Sequence, residues 1–427
     1  MILILYILPK VLFEWPGLLY NPRMNHGSTS QLKTIVTLFV VLRVTIVLMY
    51  TPQGLLNAYT DYQHYYRTAQ LTDDGYYPFV NMWYEYPPVT TYLSIGVYRI
   101  TRAVLPAGDL DSFTYQVYAR LLAGVFLIFE TGVLIALFRL AARAYDVSRA
   151  NWLGWVYACL SVPLFFWNAS QNSVVVWCAL MSVRWLIEGR VNRSAVLLGL
   201  GIAAKFTPVF LIAPALKVLW PDRRGVIRYV TLVGVTVAAI YAPFVLLGGG
   251  AWIVASFVML ARLASYSTGW ALIDGNWLPG DAGPLTNRVE LAAIDHLPGN
   301  PAVISGAIVI VVFAIGYLWL ARRPIDRSRP AAIIGFATFT ALIFLLWSKG
   351  WSPQWATLII PFMLLMWPTE RGLKWVLLLT AIIFVEWPLA DALKSQALLA
   401  IAIVARTVMW IVLAKKTCEA LRETSQI

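Results

Sequence analysis

The sequence is poor in charge. Only 13% of its 427 residues are charged, against 60% hydrophobic residues and a mean hydropathy of +0.70. Soluble domains carry about 25% charged residues, so a water-soluble globular class is excluded. Cysteine is almost absent. Cys159 and Cys178 fall in apolar runs and Cys418 in a basic tail, so neither a disulfide framework nor a CxxC metal motif is available. Histidine is equally scarce: His26, His64 and His296 show no paired ligand spacing, and no metal or other cofactor is expected from them. No repeat of 20–50 residues is visible and the two halves share no pattern, which weighs against inverted-repeat transporters. The net charge of +12 would suit nucleic acid, but no aromatic-basic nucleic-acid motif accompanies it.

What is present is a series of apolar runs approaching the roughly 20 residues that span a bilayer. They predict an all-α polytopic membrane protein with spans at 32–51, 113–140, 151–168, 172–188, 227–247, 302–320, 331–347, 353–367, 375–390 and 396–414. Arginine and lysine punctuate the gaps, as in Arg139, Arg143, Arg149, Arg190, Arg193, Arg223, Arg224, Arg228, Arg322, Arg323, Arg327, Arg329, Arg371, Lys374, Lys415 and Lys416. Basic loops face the cytoplasm. That rule works throughout only if two stretches do not span in the simple way.

The first is 88–105, short and carrying Arg99 and Arg102, which reads as a helix lying in the outer interface. The second is 194–219, with basic residues at both ends and Lys205-Phe206-Thr207-Pro208 in the middle. Proline lacks the backbone donor a continuous helix needs. The alternatives are two half-helices returning to one side or one long kinked helix. With the hairpin, the outer face receives two long loops, 52–112 and 248–301, and a short turn, 348–352. The domain reading is then an N-terminal segment of uncertain status (1–31), a membrane domain (32–414) and a cytoplasmic tail (415–427).

The polar chemistry clusters in the outer segments. In a helical 61–70 segment, Asp61, His64, Tyr65 and Thr68 share one face through i, i+3, i+4 spacing. Asp61 is a candidate general base, since a carboxylate can take the proton of an attacking alcohol. Its plainer reading is an interfacial N-cap. His64 is a hydrogen-bonding neighbour rather than a metal ligand. Tyr84-Glu85-Tyr86-Pro87-Pro88 reads as a turn opening a helix, with Glu85 a second candidate carboxylate. Asp73 and Asp74 before Gly75 read as turn residues. Lys205 is expensive in an apolar setting; it either meets a lipid phosphate or snorkels to the near interface. In the turn Ser348-Lys349-Gly350-Trp351-Ser352-Pro353-Gln354-Trp355, Lys349 is placed to hold a phosphate and Gln354 a sugar hydroxyl. The plainer reading of that turn is an aromatic belt. Arg43 and Glu130 reach similar membrane depths and are expected to form a structural ion pair.

Taken in order, D-x-x-x-Y-Y (Asp61 to Tyr66), G-x-x-P-F (Gly75 to Phe79), Y-P-P (Tyr86 to Pro88), A-x-K-x-x-P-x-x-x-x-x-P (Ala203 to Pro214) and the Ser348–Trp355 turn resemble the GT-C glycosyltransferases. Within them the chain is similar to glycosyltransferase family 87, the polyprenyl-phosphate mannosyltransferases that elongate glycolipids. The resemblance covers about 32–367. It implies a GT-C-type bundle of about 10–13 spanning or half-spanning helices with juxtamembrane helices in the first outer loop. It also implies an inverting transfer of a hexose, with mannose expected, from a polyprenyl-phosphate donor to a lipid or glycan acceptor. The reaction would take place at the outer face of the cell membrane. Asp61 matches the family's catalytic aspartate, whereas Glu85 has no role carried over. Lys205, Lys349 and Arg262 are candidates to stabilise the leaving phosphate, with Gln354, His64 and Tyr65 around the sugar. The alternative class is a transporter or flippase of lipid-linked sugars.

The orientation is testable by cysteine labelling of intact cells. Positions in 52–112 and position 349 should react without permeabilisation, and positions in 415–427 only after it. The reverse pattern at position 349 would overturn the map.

Overall fold

The computed structural model describes residues 26–49, 61–160, 171–220, 222–277, 280–322 and 325–423. The N-terminal segment up to residue 25 and the second half of the span read at 151–168 lie outside the described residues. The fold is all-α. The helices that frame the bundle are α1 (His26–Met49), α2 (Tyr62–Leu71), α3 (Pro88–Arg102), α4 (Phe113–Ala144), α5 (Val147–Cys159), α6 (Asn172–Ile187), α7 (Val191–Ala204), α8 (Ile212–Leu219) and α9 (Arg223–Gly248). They continue with α10 (Ala251–Arg262), α11 (Gly269–Asp274), α12 (Gly306–Ala321), α13 (Pro330–Trp347), α14 (Ala356–Met366), α15 (Glu370–Phe384), α16 (Ala390–Ala392) and α17 (Gln396–Glu423). Among the described residues, six stretches are long and apolar enough to cross a membrane: Ser30–Met49, Phe113–Ala144, Arg223–Gly248, Pro330–Trp347, Glu370–Ala392 and Gln396–Arg422. Together with the basic loops, they make this a multi-pass membrane protein.

Composition decides each helix's place. α4 is 78% buried over its most apolar window and forms the bundle's centre, whereas α9 is only 17% buried over its own and presents its apolar side chains outward. In lipid such exposure is no cost, because the tails are as apolar as the side chains. α4 packs against α1, α5 and α6; α6 packs against α7; and α13 packs against α14 and α17.

The 194–219 segment doubles back. α6 and α7 are antiparallel, since Ser182 meets Ser194, Cys178 meets Gly201 and Asn172 meets Lys205. α7 and α9 are parallel, because Ser194 meets Tyr229 and Gly199 meets Thr236. Two parallel helices require a return between them. The chain makes it through Lys205, the 3₁₀ turn Thr207–Leu211 and α8, with Pro208 in the 3₁₀ turn where its missing donor does no harm. Lys205 therefore sits at the apex, at the same end of the bundle as Asn172.

That end also holds the long loops. The basic residues 184–193 and 223–228 gather at the opposite end, where Arg184 and Arg190 share Glu188 at 2.7 and 3.5 Å. Most cations at the loop end are answered by an acid. Arg99 and Arg102 bind Asp73 at 2.7 and 3.6 Å, and Tyr98 donates to the same carboxylate at 2.5 Å. Asp73 therefore pins the end of α2 to α3. α3 itself is a 15-residue amphipathic helix buried against α2, α4 and α7, too short to count among the spans.

Two expectations need correcting. Arg43 and Glu130 make no direct ion pair. Tyr157 of α5 donates to Glu130, and the Arg43 guanidinium lies 3.4 Å from the centroid of the Phe39 ring. The two charges feel each other only at longer range. The 353–367 span is a 3₁₀ turn, Pro353–Trp355, followed by the eleven-residue α14 with Pro361 inside it. The described part of the basic segment from 415 is helical, a continuation of α17 to Glu423.

Gly248 closes α9 against the first long loop. A Cβ there would lie 2.3 Å from the Val80 carbonyl oxygen and 2.7 Å from the Val80 Cα. Neither atom can move without shifting the 79–86 segment. Gly248→Ala is therefore expected to cost about 1–3 kcal/mol, the usual range for forced overpacking. Thermal unfolding in detergent checks it, and an unchanged melting temperature would show that the loop is not seated on α9.

Candidate functional site

Asp61 stands immediately before α2, in the N-cap position, but its side chain makes no capping hydrogen bond. Its carboxylate turns to three other partners. Tyr65, one helical turn on, donates its hydroxyl to Oδ2 at 3.0 Å. Tyr86, from the turn before α3, donates at 3.1 Å, and Gln354, from the turn between α13 and α14, donates its Nε2 at 3.2 Å. Burial raises both tyrosines well above the usual phenol range, and the charge of Asp61 raises them further. They stay protonated and remain donors. All three bonds fall on one oxygen and none comes from a cation.

Glu85, one residue before Tyr86, has a different environment. Arg288 of the second long loop donates to its Oε2, and His64 Nε2 lies 2.9 Å from its Oε1. The same His64 nitrogen is 3.3 Å from Arg288 Nη1, so its tautomer decides whether it donates to the carboxylate or accepts from the guanidinium. Burial alone would push Glu85 up, but Arg288 and then His64 hold it down at about 2. Arg288 is 3% exposed and sits over Trp83 and Tyr84, 5.3 and 5.5 Å from their centroids. Trp83 also joins the second loop through its backbone nitrogen to the Arg288 carbonyl at 3.0 Å and its indole to the Glu290 carbonyl at 3.1 Å. The structure thus makes Glu85 half of a clamp between the two long loops. His64 stacks on Tyr84 with centroids 5.5 Å apart, and Thr68 donates to the Tyr84 hydroxyl at 3.1 Å.

Lys205 lies close by. Its ammonium donates to Asn172 Oδ1 at 2.9 Å and stands 4.7 Å from the Trp355 ring centroid. Asn172 in turn donates to the Gln354 carbonyl at 2.7 Å, and Asp61 is near enough for its charge to act on the ammonium. Lys349 and Arg262 are not brought to this group. Lys349 donates to the Ala261 carbonyl at 2.7 Å, where burial lowers its affinity for the proton and Asp274 partly restores it. Arg262 pairs with Asp295 at the surface.

Two cavities meet at Asp61. One, of about 680 Å³, runs along Gln63, His64, Arg67, Gln70 and Asp74 toward Gly283–Thr286 of the second loop. The other, of about 650 Å³, is lined by Tyr86, Tyr266, Trp277, Trp351, Gln354, Glu386, Trp387 and the 390–399 segment. Tyr266 is held there by backbone bonds to the 348–352 turn: its nitrogen donates to Lys349 at 3.0 Å and its carbonyl accepts from Trp351 at 3.1 Å. The sequence reading missed Tyr266, Arg288 and the buried Glu386–Arg406 ion pair. The last had a signal, namely one acid and one base inside neighbouring apolar runs.

The model of glycosyltransferase family 87 matches residues 103–348 of the chain. The chain belongs to glycosyltransferase family 87. It is a multi-pass membrane member of that family. No curated protein matches the sequence. Among solved structures, it is similar to the Archaeoglobus fulgidus oligosaccharyltransferase in its apo form, at 14% identity and a TM-score of 0.41, covering 91% of this chain and 56% of that one. The same enzyme tethered to an acceptor peptide containing the NVT sequon gives 15% identity, a TM-score of 0.42, and 91% and 55% coverage. This family 87 chain thus spans a little over half the length of those structures.

The clamp has a defined pH signature. Glu85 is depressed from 4.5 to about 2, so its contribution is fully present above about 4.5 and is lost as the pH falls toward 2. At about 1.4 kcal/mol per pH unit, the contribution is about 3 kcal/mol. Glu85→Gln should lower stability at neutral pH by about 3–5 kcal/mol, because it leaves Arg288 buried without its partner. It should also flatten the acid limb of a plot of stability against pH. An acid limb unchanged from wild type would assign it to other carboxylates.

Proposed function

We propose that the chain transfers a hexose, with mannose expected, from a polyprenyl-phosphate donor to a hydroxyl of a lipid or glycan acceptor at the outer face of the cell membrane. Inversion at C1 is expected. The observation that supports this most directly is the setting of Asp61. Its carboxylate borders two cavities, is oriented by three neutral donors that all use Oδ2, and takes none of those bonds on Oδ1.

In this mechanism the acceptor oxygen attacks C1 of the donor sugar from the face opposite the phosphate. The C1–O bond to phosphate breaks, its electron pair stays on the phosphate oxygen, and polyprenyl phosphate leaves. Asp61 takes the acceptor proton as the new C–O bond forms. The phosphate is already a competent leaving group, so no general acid is required at that oxygen. The negative charge it develops is met by the Lys205 ammonium, whose present partners are an amide oxygen and an aromatic ring rather than an acid. A fixed cation of this kind stabilises the transition state without reorganising. Glu85 is withdrawn from candidacy as the base, because a carboxylate held at about 2 is a poor proton acceptor and is already committed to Arg288. Lys349 and Arg262 are likewise left out of the phosphate site, since each is held at a distance by its own partner.

The test uses purified protein, polyprenyl-phosphate mannose and a panel of lipid and glycan acceptors. Asp61→Asn keeps the size and the hydrogen bonds but cannot take a proton at neutral pH. It should fold, bind donor and lose about 10²–10⁴-fold in turnover. Lys205→Ala should chiefly raise the donor KM, and Lys205→Arg should restore part of the affinity, since charge survives but geometry does not. Near-wild-type turnover in Asp61→Asn would remove the base from the scheme, and a product of retained configuration would remove the single-displacement route.

A further inference from the structure

The 650 Å³ cavity carries polar groups that the transfer mechanism does not use. Glu386 lies in the Val385–Leu389 kink between α15 and α16, where Trp387 leaves helical φ/ψ and Pro388 lacks a backbone donor. Arg406 of α17 donates to its Oε2 and to the Ser267 carbonyl, and lies 4.6 Å from the Trp351 ring centroid. Glu386 is 4% exposed and Trp351 is 3% exposed. Yet Glu386 Oε1 has no hydrogen-bond partner, and neither do Trp351 Nε1 and Gln354 Oε1. Buried polar groups are nearly always satisfied, and leaving one unpaired costs stability. Here two acceptors and one donor are left unpaired on residues that line the same cavity.

We infer that this wall is a pyranose-recognition subsite, in which Glu386 and Gln354 accept from ring hydroxyls and the Trp351 indole donates to one. The inference rests on the glycosyl-transfer reading above and names the part of the substrate that the cavity reads. A pyranose supplies both kinds of partner at adjacent positions, and the faces of Tyr266, Trp277 and Trp387 suit its C–H surface. Arg406 has a positioning role. It occupies one carboxylate oxygen, compensates the buried charge and leaves the other oxygen for the ligand. The pyranose can belong to the donor or to a glycan acceptor, since the chemistry of recognition is shared.

Trp351→Phe is the sharpest variant. It keeps a ring for Arg406 but removes the unpaired N–H together with part of a buried indole, so the ligand-free melting temperature should fall modestly through the cavity left behind, and the comparison is made on folded protein. Affinity should also fall, and hydrogen bonds of this class correspond to roughly 10- to 100-fold. Glu386→Gln should narrow the discrimination between polyprenyl-phosphate mannose and its glucose counterpart, which differ at one hydroxyl, by about tenfold or more. A rise confined to the donor KM assigns the subsite to the donor sugar, and a rise confined to the acceptor KM assigns it to the acceptor glycan. Either supports the inference. Binding is measured in parallel by tryptophan fluorescence with short-chain polyprenyl-phosphate mannose and with a mannose oligosaccharide. If wild type binds but never transfers, and Trp351→Phe weakens binding, the subsite stands and the transfer reading fails. If folded Trp351→Phe and Glu386→Gln leave both KM values and both affinities unchanged, or if wild type binds neither ligand, the subsite is overturned.

Discussion

Three neutral hydrogen bonds on one oxygen of Asp61 tie together parts of the chain that are otherwise far apart: α2, the turn before α3, and the turn between α13 and α14. An apolar bundle can hold such a group only where its helices stop. Backbone groups freed at a helix break must be buried in protein or line a cavity, and polar side chains follow the same rule. The break at Lys205, the 348–355 turn and the kink at 385–389 all fall at the end of the bundle that carries Asp61. The two long loops then cover them. The cavities are what remains between breaks that cannot pack against one another as helices would.

Asp61 and Glu85 show how environment separates two carboxylates with similar positions in the sequence. Both come from the first long loop, and both are half-exposed or less. Glu85 is gripped by a guanidinium and an imidazole, which fix it as an anion and spend it on joining the loops. Asp61 is gripped by two phenols and an amide. Those donors orient a carboxylate without neutralising it, as the role proposed for Asp61 requires. The clamp at Glu85 still matters to Asp61, because Tyr86 follows Glu85 directly and delivers one of the three bonds.

Much of this was legible in the sequence, and the limits have physical causes. Apolar length and basic loops gave the membrane class, since both depend on local composition. Equal basic flanks and Pro208 pointed to the return at 194–219, which the parallel pairing of α7 with α9 requires. Helical spacing put Asp61, His64, Tyr65 and Thr68 on one face, and Tyr65 does reach Asp61. Partners across the fold were not legible. Arg288 meets Glu85 from 203 residues away, and nothing in either segment announces it. Depth matching suggested that Arg43 faces Glu130, but depth says nothing of rotation about the helix axis, and Tyr157 occupies the place. Lys349 and Arg262 lie on the expected loops. The turn around Lys349 lacks the periodicity that fixes side-chain direction, Arg262 is the last residue of α10, and each side chain is drawn to a partner on another segment. Glu386 and Arg406 were readable as opposite charges in neighbouring apolar runs, by the same logic that singled out Arg43 and Glu130.

The distribution of cations around the cavities bears on which ligand the site favours. Arg288 is answered by Glu85 and Arg406 by Glu386, so each brings no net charge to its surroundings. Lys205 is answered by the Asn172 amide and the Trp355 ring, neither of which carries charge. A half-buried ammonium without a counter-ion in contact is costly, and the cost falls when an anion arrives. Asp61 lies near enough to offset part of it, but its oxygen is taken by Gln354, Tyr65 and Tyr86 instead. An anionic group entering between Lys205 and Asp61 would satisfy the first and leave the second free to act on a proton. The lipid phosphate of the proposed donor would meet that requirement, because its charge is compact and its chain would remain among the exposed apolar helices while its head reached the apex of the hairpin.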